Sequence, residues 1–377
     1  MENVKIKPEG KFIPFAAAVL SVAVSALLLL HSDRAAEAVR RGIEICGAGV
    51  IPSLFPMMFM SQYIVHSGAA EAAGTLLEKP ARLLFGLPGV CGVALLTSFI
   101  GGYPAGAKAA ETLVSEGRIT SAEGKRLVNM AFCAGPGFAI GMVGGELYKN
   151  KTVGLMILTA QAISGIIIGI VYRLLSGRDD GLRFPTPRDS SCGSSRSDAM
   201  VKSAAGTASA LLHMCSFIIL FQVMVSMLEL TGVNAAIGAL SAKCGMGTSG
   251  AILIPCLMEV TGGSIRSVEA GLPFTAFVVG FGGLSVHFQN FAVCPSVRPD
   301  KALYIFTRAV QGALCSLMVS LWLRLPCFAE TVLPVSGNVK VIPASFSSVS
   351  VGFGGALLVM CLMSVICLPS EKENALL

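Results

Sequence analysis

Three observations predict an all-α polytopic membrane protein. Hydrophobic residues make up 54% of the chain and charged residues 13%, with a mean hydropathy of +0.74, whereas a soluble domain carries about 25% charged residues. Several apolar runs reach the ~20 residues that a helix needs to cross a bilayer. Some apolar runs are broken by Gly and Pro. We therefore predict about eight transmembrane helices and two re-entrant helical hairpins, arranged as an inverted repeat.

The first half of the chain contains four predicted spans and one broken apolar piece. A polar stretch over 31–41 follows the first span, and a linker over 67–88 precedes the broken piece. In order, the spans and the broken piece are Phe12–Leu30, Ile43–His66, the broken piece at 90–114, Val128–Tyr148 and Val153–Leu175.

The most informative stretch is Leu95–Lys108, with the sequence LLTSFIGGYPAGAK. Gly and Pro both break helices. At membrane depth such a break is tolerated only inside protein or beside a water-filled cavity, because freed backbone groups cost several kcal/mol each in lipid. Broken helices of this kind form the substrate sites of many transporters. A surface loop or a simple kink are the alternatives.

The second half repeats this pattern in outline. It contains Ser203–Leu230, a Gly-rich linker over 231–248, a piece over 249–270 broken at Gly262-Gly263, then Leu272–Phe291, Tyr304–Leu325 and Ser350–Leu368. The stretch from Ser98 to Gly102 (SFIGG) is matched by Glu259 to Gly263 (EVTGG), and a basic residue follows each. The ordered pattern favours an internal repeat.

Two further Gly breaks interrupt spans. They are Gly135-Pro136-Gly137 in Val128–Tyr148 and Gly280 to Gly283 in Leu272–Phe291. The break at Gly135-Pro136-Gly137 is compatible with two interpretations. The helix unwinds there to form a site, or it only kinks.

The distribution of Lys and Arg favours re-entrant hairpins. With a cytoplasmic N-terminus, most of the 28 Lys and Arg residues, Arg308 among them, fall on the cytoplasmic side, as the positive-inside rule requires. If residues 90–112 crossed the bilayer fully, Arg118, Lys125 and Arg126 would lie outside. Re-entrant hairpins place the two halves in opposite orientations.

These assignments divide the chain into five segments. They are an N-terminal helix and loop (1–42), a first repeat (43–175), a cytoplasmic linker rich in Pro, Ser and Gly (176–202), a second, inverted repeat (203–326), and a loop, last span and tail (327–377).

Several function classes receive no support from the sequence. The net charge of +6 is spread over short loops without a basic–aromatic patch, which argues against a nucleic-acid partner. The twelve Cys are scattered without metal-ligand spacing, and we expect no metal and no cofactor. HExxH, GxSxG and intramembrane Asp pairs are missing from the sequence, so we expect no enzyme activity and no catalytic residues.

Three motifs resemble a known family. They are Ser98 to Lys108 (SFIGGYPAGAK), Asn129 to Gly137 with its FCAGPG ending, and Pro52 to Pro56 (PSLFP). They resemble the YlbJ/SpoVV family of sporulation integral membrane proteins, in the nucleoside recognition or Gate domain group. The proposed relatives of this group are concentrative nucleoside transporters. The resemblance implies a bacterial endospore former, the mother-cell-derived outer forespore membrane, and transport of dipicolinic acid.

The candidate site follows from the breaks and from polar groups at membrane depth, which are costly and usually functional. Half-helix N-termini suit carboxylates, Lys108 or Arg266 could neutralise a dianion, and Tyr103 could stack on its ring. Glu259 could instead be a helix-end carboxylate, His287 a packed side chain, and Asn129 a helix cap. The predicted substrate-binding residues are Ser98, Gly101, Gly102, Tyr103, Pro104, Lys108, Asn129, Gly135, Pro136, Glu259, Thr261, Gly262, Gly263, Arg266, Ser285, His287 and Gln289.

We therefore predict an integral membrane transporter of a small anionic metabolite, with both termini cytoplasmic. Its expected partners are the substrate and the lipid bilayer, and a homo-oligomer is left open. The alternatives are a nucleoside or other solute carrier, or a non-transporting scaffold for spore morphogenesis.

Overall fold

The computed structural model describes residues 12–175, 196–243 and 250–325, and these residues form helices and connecting turns. The predicted last span Ser350–Leu368, the loop over 327–349 and most of the linker over 176–202 lie outside the described residues. The helices are α1 (Phe12–Leu30), α2 (Ser32–Glu44), α3 (Ile51–His66), α4 (Ala69–Phe85), α5 (Gly89–Gly101), α6 (Tyr103–Ser115), α7 (Ser121–Met130), α8 (Lys151–Leu175), α9 (Arg196–Leu230), α10 (Val233–Lys243), α11 (Gly250–Met258), α12 (Val260–Ser267), α13 (Leu272–Phe281), α14 (Gly283–Val293) and α15 (Lys301–Trp322).

Short irregular helices join some of these elements. A π-helical turn over Ile45–Val50 connects α2 to α3, a second π-helix covers Gly137–Leu147, and a 3₁₀ turn over Val268–Ala270 follows α12.

In the described part of the chain, four helical stretches are long and apolar enough to cross a membrane. They are Lys151–Leu175, Ser197–Leu230, Leu272–Val293 and Lys301–Trp322. A fifth results if Ala72–Phe85 and Gly89–Gly101, bent by 90° at their junction, count as one broken span. The protein is thus an all-helical membrane protein, and the eight-span count stays a prediction.

The chain divides into two compact units. The first contains α1, α2 up to Arg41, α9 from Gln222, α10, and α11 up to Leu253; the second contains 42–221 and 254–339. All predicted site residues belong to the second unit.

The chain folds back on itself at Gly102. Gly102 has φ +86°, and Ser98 and Gly106 lie four residues to either side of it. A Cβ added at Gly106 would lie 2.8 Å from Cβ of Ser98, whereas eight residues of continuous helix span about 12 Å. Helices α5 and α6 therefore form a hairpin and not one rod, and the position of this hairpin in the bilayer stays a prediction.

A second fold-back lies at Glu259, where the backbone is extended (φ −140°, ψ 125°). The Cys256 thiol donates a hydrogen bond to the Gly263 carbonyl at 3.3 Å across this turn. The expected break at Gly262-Gly263 is wrong, because both glycines lie inside α12. Gly263 is instead a close-packing position, since an added Cβ would lie 2.7 Å from Cα of Cys256.

Three segments predicted as polar stretches or linkers contain helices. The stretch over 31–41 lies mostly in α2, the linker over 67–88 contains α4, and the linker over 231–248 contains α10. All three helices are rich in Ala, which favours helix, and the Gly and charged residues among the alanines do not prevent it.

The Gly breaks in the spans are real interruptions. Residues 131–134 between α7 and Gly135 are not helical, so the backbone unwinds there and does not simply kink. Gly282 and Gly283 separate α13 from α14 with φ +81° and +74°.

Candidate functional site

Each hairpin tip packs against the break in the span that follows it. A Cβ added at Gly135 would lie 2.9 Å from Cα of Gly102, the first tip. A Cβ added at Gly283 would lie 3.0 Å from the Val260 nitrogen and 3.3 Å from the Glu259 carbonyl carbon, at the second tip. The two halves therefore repeat one arrangement, a hairpin whose tip lies on an interrupted helix.

The Phe132 ring joins these two arrangements. Phe132 lies in the unwound segment after α7, and its ring centroid is 4.6 Å from that of Tyr103 at the first tip. On its other side, a Cβ added at Gly282 would lie 2.4 Å from Cζ of Phe132. Phe132 is fully buried, and its position makes it the common contact of the first tip and the α13–α14 break.

Two buried glutamines satisfy the backbone around the breaks. Gln161 on α8 accepts from the Ala134 amide at 3.1 Å and donates to the Val279 carbonyl at 2.9 Å. Gln311 on α15 donates to the Phe132 carbonyl at 2.8 Å. These contacts are the physical reason why an unwound segment persists among apolar helices, since unpaired backbone groups there would be costly.

Arg308 is the largest of the fully buried side chains. It donates to the Asn129 carbonyl and to Oε1 of Gln311, and its guanidinium lies 4.4 Å from the Phe132 ring centroid. Arg308 lies two turns inside α15 and is buried, so it is not a loop residue; its assignment to the cytoplasmic side stays a prediction. Arg308, Gln161, Gln311 and Phe132 are not among the site residues predicted from the sequence. For Arg308, its place inside an apolar run was the available signal.

The predicted residues of the first tip are all at the turn and are mostly buried. The Ser98 hydroxyl donates to the Leu95 carbonyl at 2.6 Å, within its own helix. The Tyr103 hydroxyl donates to the Val279 carbonyl at 2.5 Å. Gly101 and Pro104 are buried, and Lys108 is half-buried on α6. No carboxylate in the described ranges forms an ion pair with Lys108.

The second tip is organised by Glu259, whose side chain is 1% exposed. Its carboxylate accepts from the Thr261 amide at 2.9 Å and the Gly262 amide at 2.6 Å, and so caps α12. Arg266, half-buried two turns further along the chain, interacts electrostatically with Glu259. The α12 N-terminus, expected to be free for a substrate carboxylate, is therefore occupied by the chain's own carboxylate.

The predicted residues of α14 lie on two different faces. His287 is packed: one ring nitrogen, Nε2, lies 2.8 Å from the Phe281 carbonyl, and the ring lies against Phe281 and Tyr304. This geometry supports the packed-side-chain interpretation. Ser285 and Gln289, one turn apart, are buried, and their side-chain polar atoms have no hydrogen-bond partner among the described residues. Because buried polar groups without a partner are costly, these two side chains are candidates for contact with a substrate or with water.

Asn129 and Pro136 flank the unwound segment. The Asn129 side chain donates to the Lys125 carbonyl at 2.9 Å within α7. The backbone carbonyl of Asn129 accepts a hydrogen bond from Arg308. Asn129 is at the end of α7 and not at a helix start, so it is not an N-terminal cap. Pro136 begins the helical turn that leads into the π-helix.

Comparison with known proteins gives one curated relative and one solved structure, and no family model matches the chain. The solved structure is that of CNTnw in an outward-facing state, with a TM-score of 0.47, 14% identity, and coverage of 83% of this chain and 85% of that chain. The relative is the sporulation integral membrane protein YlbJ of Bacillus subtilis, 26% identical over 329 residues, or 79% of this chain and 80% of the relative. The resemblance of this chain to the YlbJ family of sporulation integral membrane proteins is thereby confirmed.

Proposed function

We propose that this chain is a membrane transporter of a small anionic metabolite, with dipicolinic acid as its substrate. The observation that carries the proposal is the repeated pairing of a hairpin tip with an interrupted helix, at Gly102 with Gly135 and at Glu259 with Gly283. Interrupted helices in a membrane protein are tolerated where they line a cavity, and paired repeats of this kind support alternating access.

The choice of substrate rests on the resemblance and on charge. The relative's name places it in sporulation, and the family resemblance implies dipicolinate, a planar dianion. Lys108, half-buried on α6 near the first tip, has no ion-pair partner among the described residues and offers a cation to the substrate. The first turn of α6 has no side-chain cap, so its N-terminal end suits a carboxylate. Ser285 and Gln289 supply neutral hydrogen-bonding groups for the rest of the molecule.

The further parts of the proposal follow from the same resemblance. We place the protein in the outer forespore membrane with both termini in the cytoplasm, as a carrier without enzyme activity. Its partners are the substrate and the bilayer.

Uptake by reconstituted vesicles tests the proposal directly. Purified protein in liposomes should accumulate labelled dipicolinate above protein-free vesicles, and unlabelled dipicolinate should compete better than a nucleoside. Preferential competition by nucleosides would favour the alternative of a nucleoside carrier. No uptake of either solute by well-inserted protein would overturn the transporter proposal.

A non-transporting scaffold is the remaining alternative. It predicts that substitutions at Gly102 leave sporulation unaffected, whereas changes in the linker over 176–202 impair it. Spore formation in the two sets of variants separates the scaffold from a carrier.

A further inference from the structure

Arg308 carries a buried positive charge, although the groups that accept its hydrogen bonds could be satisfied by a neutral donor. The side chain has 0% exposure. Its two hydrogen-bond acceptors among the described residues are neutral, the Asn129 carbonyl and the Gln311 side chain. A neutral donor could satisfy both of them. Removing a charge from water without a counter-charge is costly, so a cation retained here needs a separate explanation.

No acidic side chain in the described part of the chain pairs with Arg308. Glu259, at the second tip, is engaged by two amides of α12 and by Arg266. Glu111 accepts from the Ser296 and Val297 amides. The local positive charge at the unwound segment is therefore not offset by these two buried carboxylates.

The charge also lies close to the candidate site. The guanidinium stacks on Phe132 at 4.4 Å and on Tyr304 at 5.1 Å. The Phe132 ring in turn lies 4.6 Å from the Tyr103 ring at the first tip and against Gly282. One aromatic ring thus separates the cation from the hairpin tip and from the α13–α14 break. Charges act over such distances when they are buried, because screening by water is weak there.

We propose that Arg308 is a specificity-determining residue, whose buried positive charge makes the site between the hairpin tips prefer anionic over neutral substrates. It acts across Phe132 without touching the substrate. This inference rests on the proposed function and adds the source of its charge selectivity.

Gln311 offers a way to neutralise Arg308 without replacing it. Gln311→Glu places a carboxylate where Oε1 of Gln311 already contacts the guanidinium. Gln311→Met is the matched control. Both variants lose the hydrogen bond from Nε2 to the Phe132 carbonyl, but only the Glu variant supplies a counter-charge.

The experiment measures the ratio of dipicolinate uptake to uptake of its neutral diamide in proteoliposomes. We expect Gln311→Glu to lower this ratio by about tenfold, the order expected for one charge acting across a ring inside a protein. Gln311→Met should keep the wild-type ratio even if total uptake falls. Arg308→Lys should keep the ratio and Arg308→Gln should lower it, where these variants fold.

An unchanged ratio in Gln311→Glu, or an equal fall in Gln311→Met, would overturn the inference while leaving dipicolinate transport in place. If the wild-type protein carries neither solute, or prefers the neutral one, the proposed anion transport fails and this inference fails with it.

Discussion

The Phe132 ring lies directly against Gly282, so that the unwound segment after α7 meets the break between α13 and α14. A Cβ at Gly282 would lie 2.4 Å from Cζ of Phe132. Tyr103, with its ring centroid 4.6 Å away, and the Arg308 guanidinium, 4.4 Å from the ring centroid, also pack against this ring. Two residues 150 positions apart thus connect the two halves of the proposed repeat.

Gly282→Ala should lower the free energy of unfolding by more than the cost of a side chain in a left-handed backbone conformation. The left-handed conformation at φ +81° costs a side chain about 1–2 kcal/mol, and overpacking against Phe132 adds about 1–3 kcal/mol. Thermal unfolding in detergent measures the loss. The control is Gly232→Ala, at φ +70° with nothing within 4 Å of an added Cβ. This variant should show only the backbone cost of about 1–2 kcal/mol. Equal losses in both variants would contradict the contact.

Gln161→Leu should cost about 1–3 kcal/mol, because it leaves the buried Ala134 amide without its acceptor. Val279 keeps the Tyr103 hydroxyl as a donor, so the main loss lies at the unwound segment. Ser320→Ala is the control, since its hydroxyl bonds only within α15, and it should change stability by less than about 0.5 kcal/mol. Melting temperatures of the two variants that coincide would argue against the proposed role of Gln161.

Glu259→Ala should lose the N-terminal cap of α12 and about 0.5–2 kcal/mol, whereas Glu259→Gln, which keeps one carbonyl acceptor, should lose less. Unfolding midpoints at fixed detergent concentration give the comparison. Thr120→Ala removes the N-terminal cap of α7 at the protein surface. It serves as a reference for the stability lost with one side-chain cap. Wild-type stability of Glu259→Ala would show that the carboxylate is not held for capping.

Lys108→Ala should reduce dipicolinate uptake about tenfold, which corresponds to about 1.4 kcal/mol and lies near the lower end for a hydrogen bond to a charged group. Insertion should be unaffected, as judged by monodisperse elution after purification. Lys151→Ala, at an exposed position, should transport normally. Normal flux in Lys108→Ala would remove Lys108 from the substrate site.

Local patterns predicted a substantial part of this architecture. Gly and Pro next to an apolar run located the fold-back at Gly102 and the break before α14, because backbone freedom and a missing donor act at the residue itself. The same reasoning placed the second break at Gly262-Gly263. It failed there because a side-chain cap at Glu259, and not glycine flexibility, decides where α12 begins.

Packing partners distant in sequence could not be predicted in this way. The positive-inside rule grouped Arg308 with the cytoplasmic Lys and Arg residues and gave no packing partner for its side chain. The structure buries it because the backbone carbonyl of Asn129, 179 residues away, is left open by the unwound segment and accepts a hydrogen bond from the guanidinium. Likewise, the charged residues of α2 and the Gly residues of α4 and α10 are compatible with loops as well as with helices.

The sequence by itself determined that this protein is a helical membrane protein, and it located three of the four backbone interruptions, since hydrophobicity and glycine or proline chemistry are properties of short stretches. Only the tertiary structure decided which interruptions meet, and that Phe132, Gln161, Gln311 and Arg308 hold them together. The physical reason is that an unpaired backbone group in an apolar interior takes whichever donor or acceptor the fold brings near, and that choice depends on packing across the whole chain.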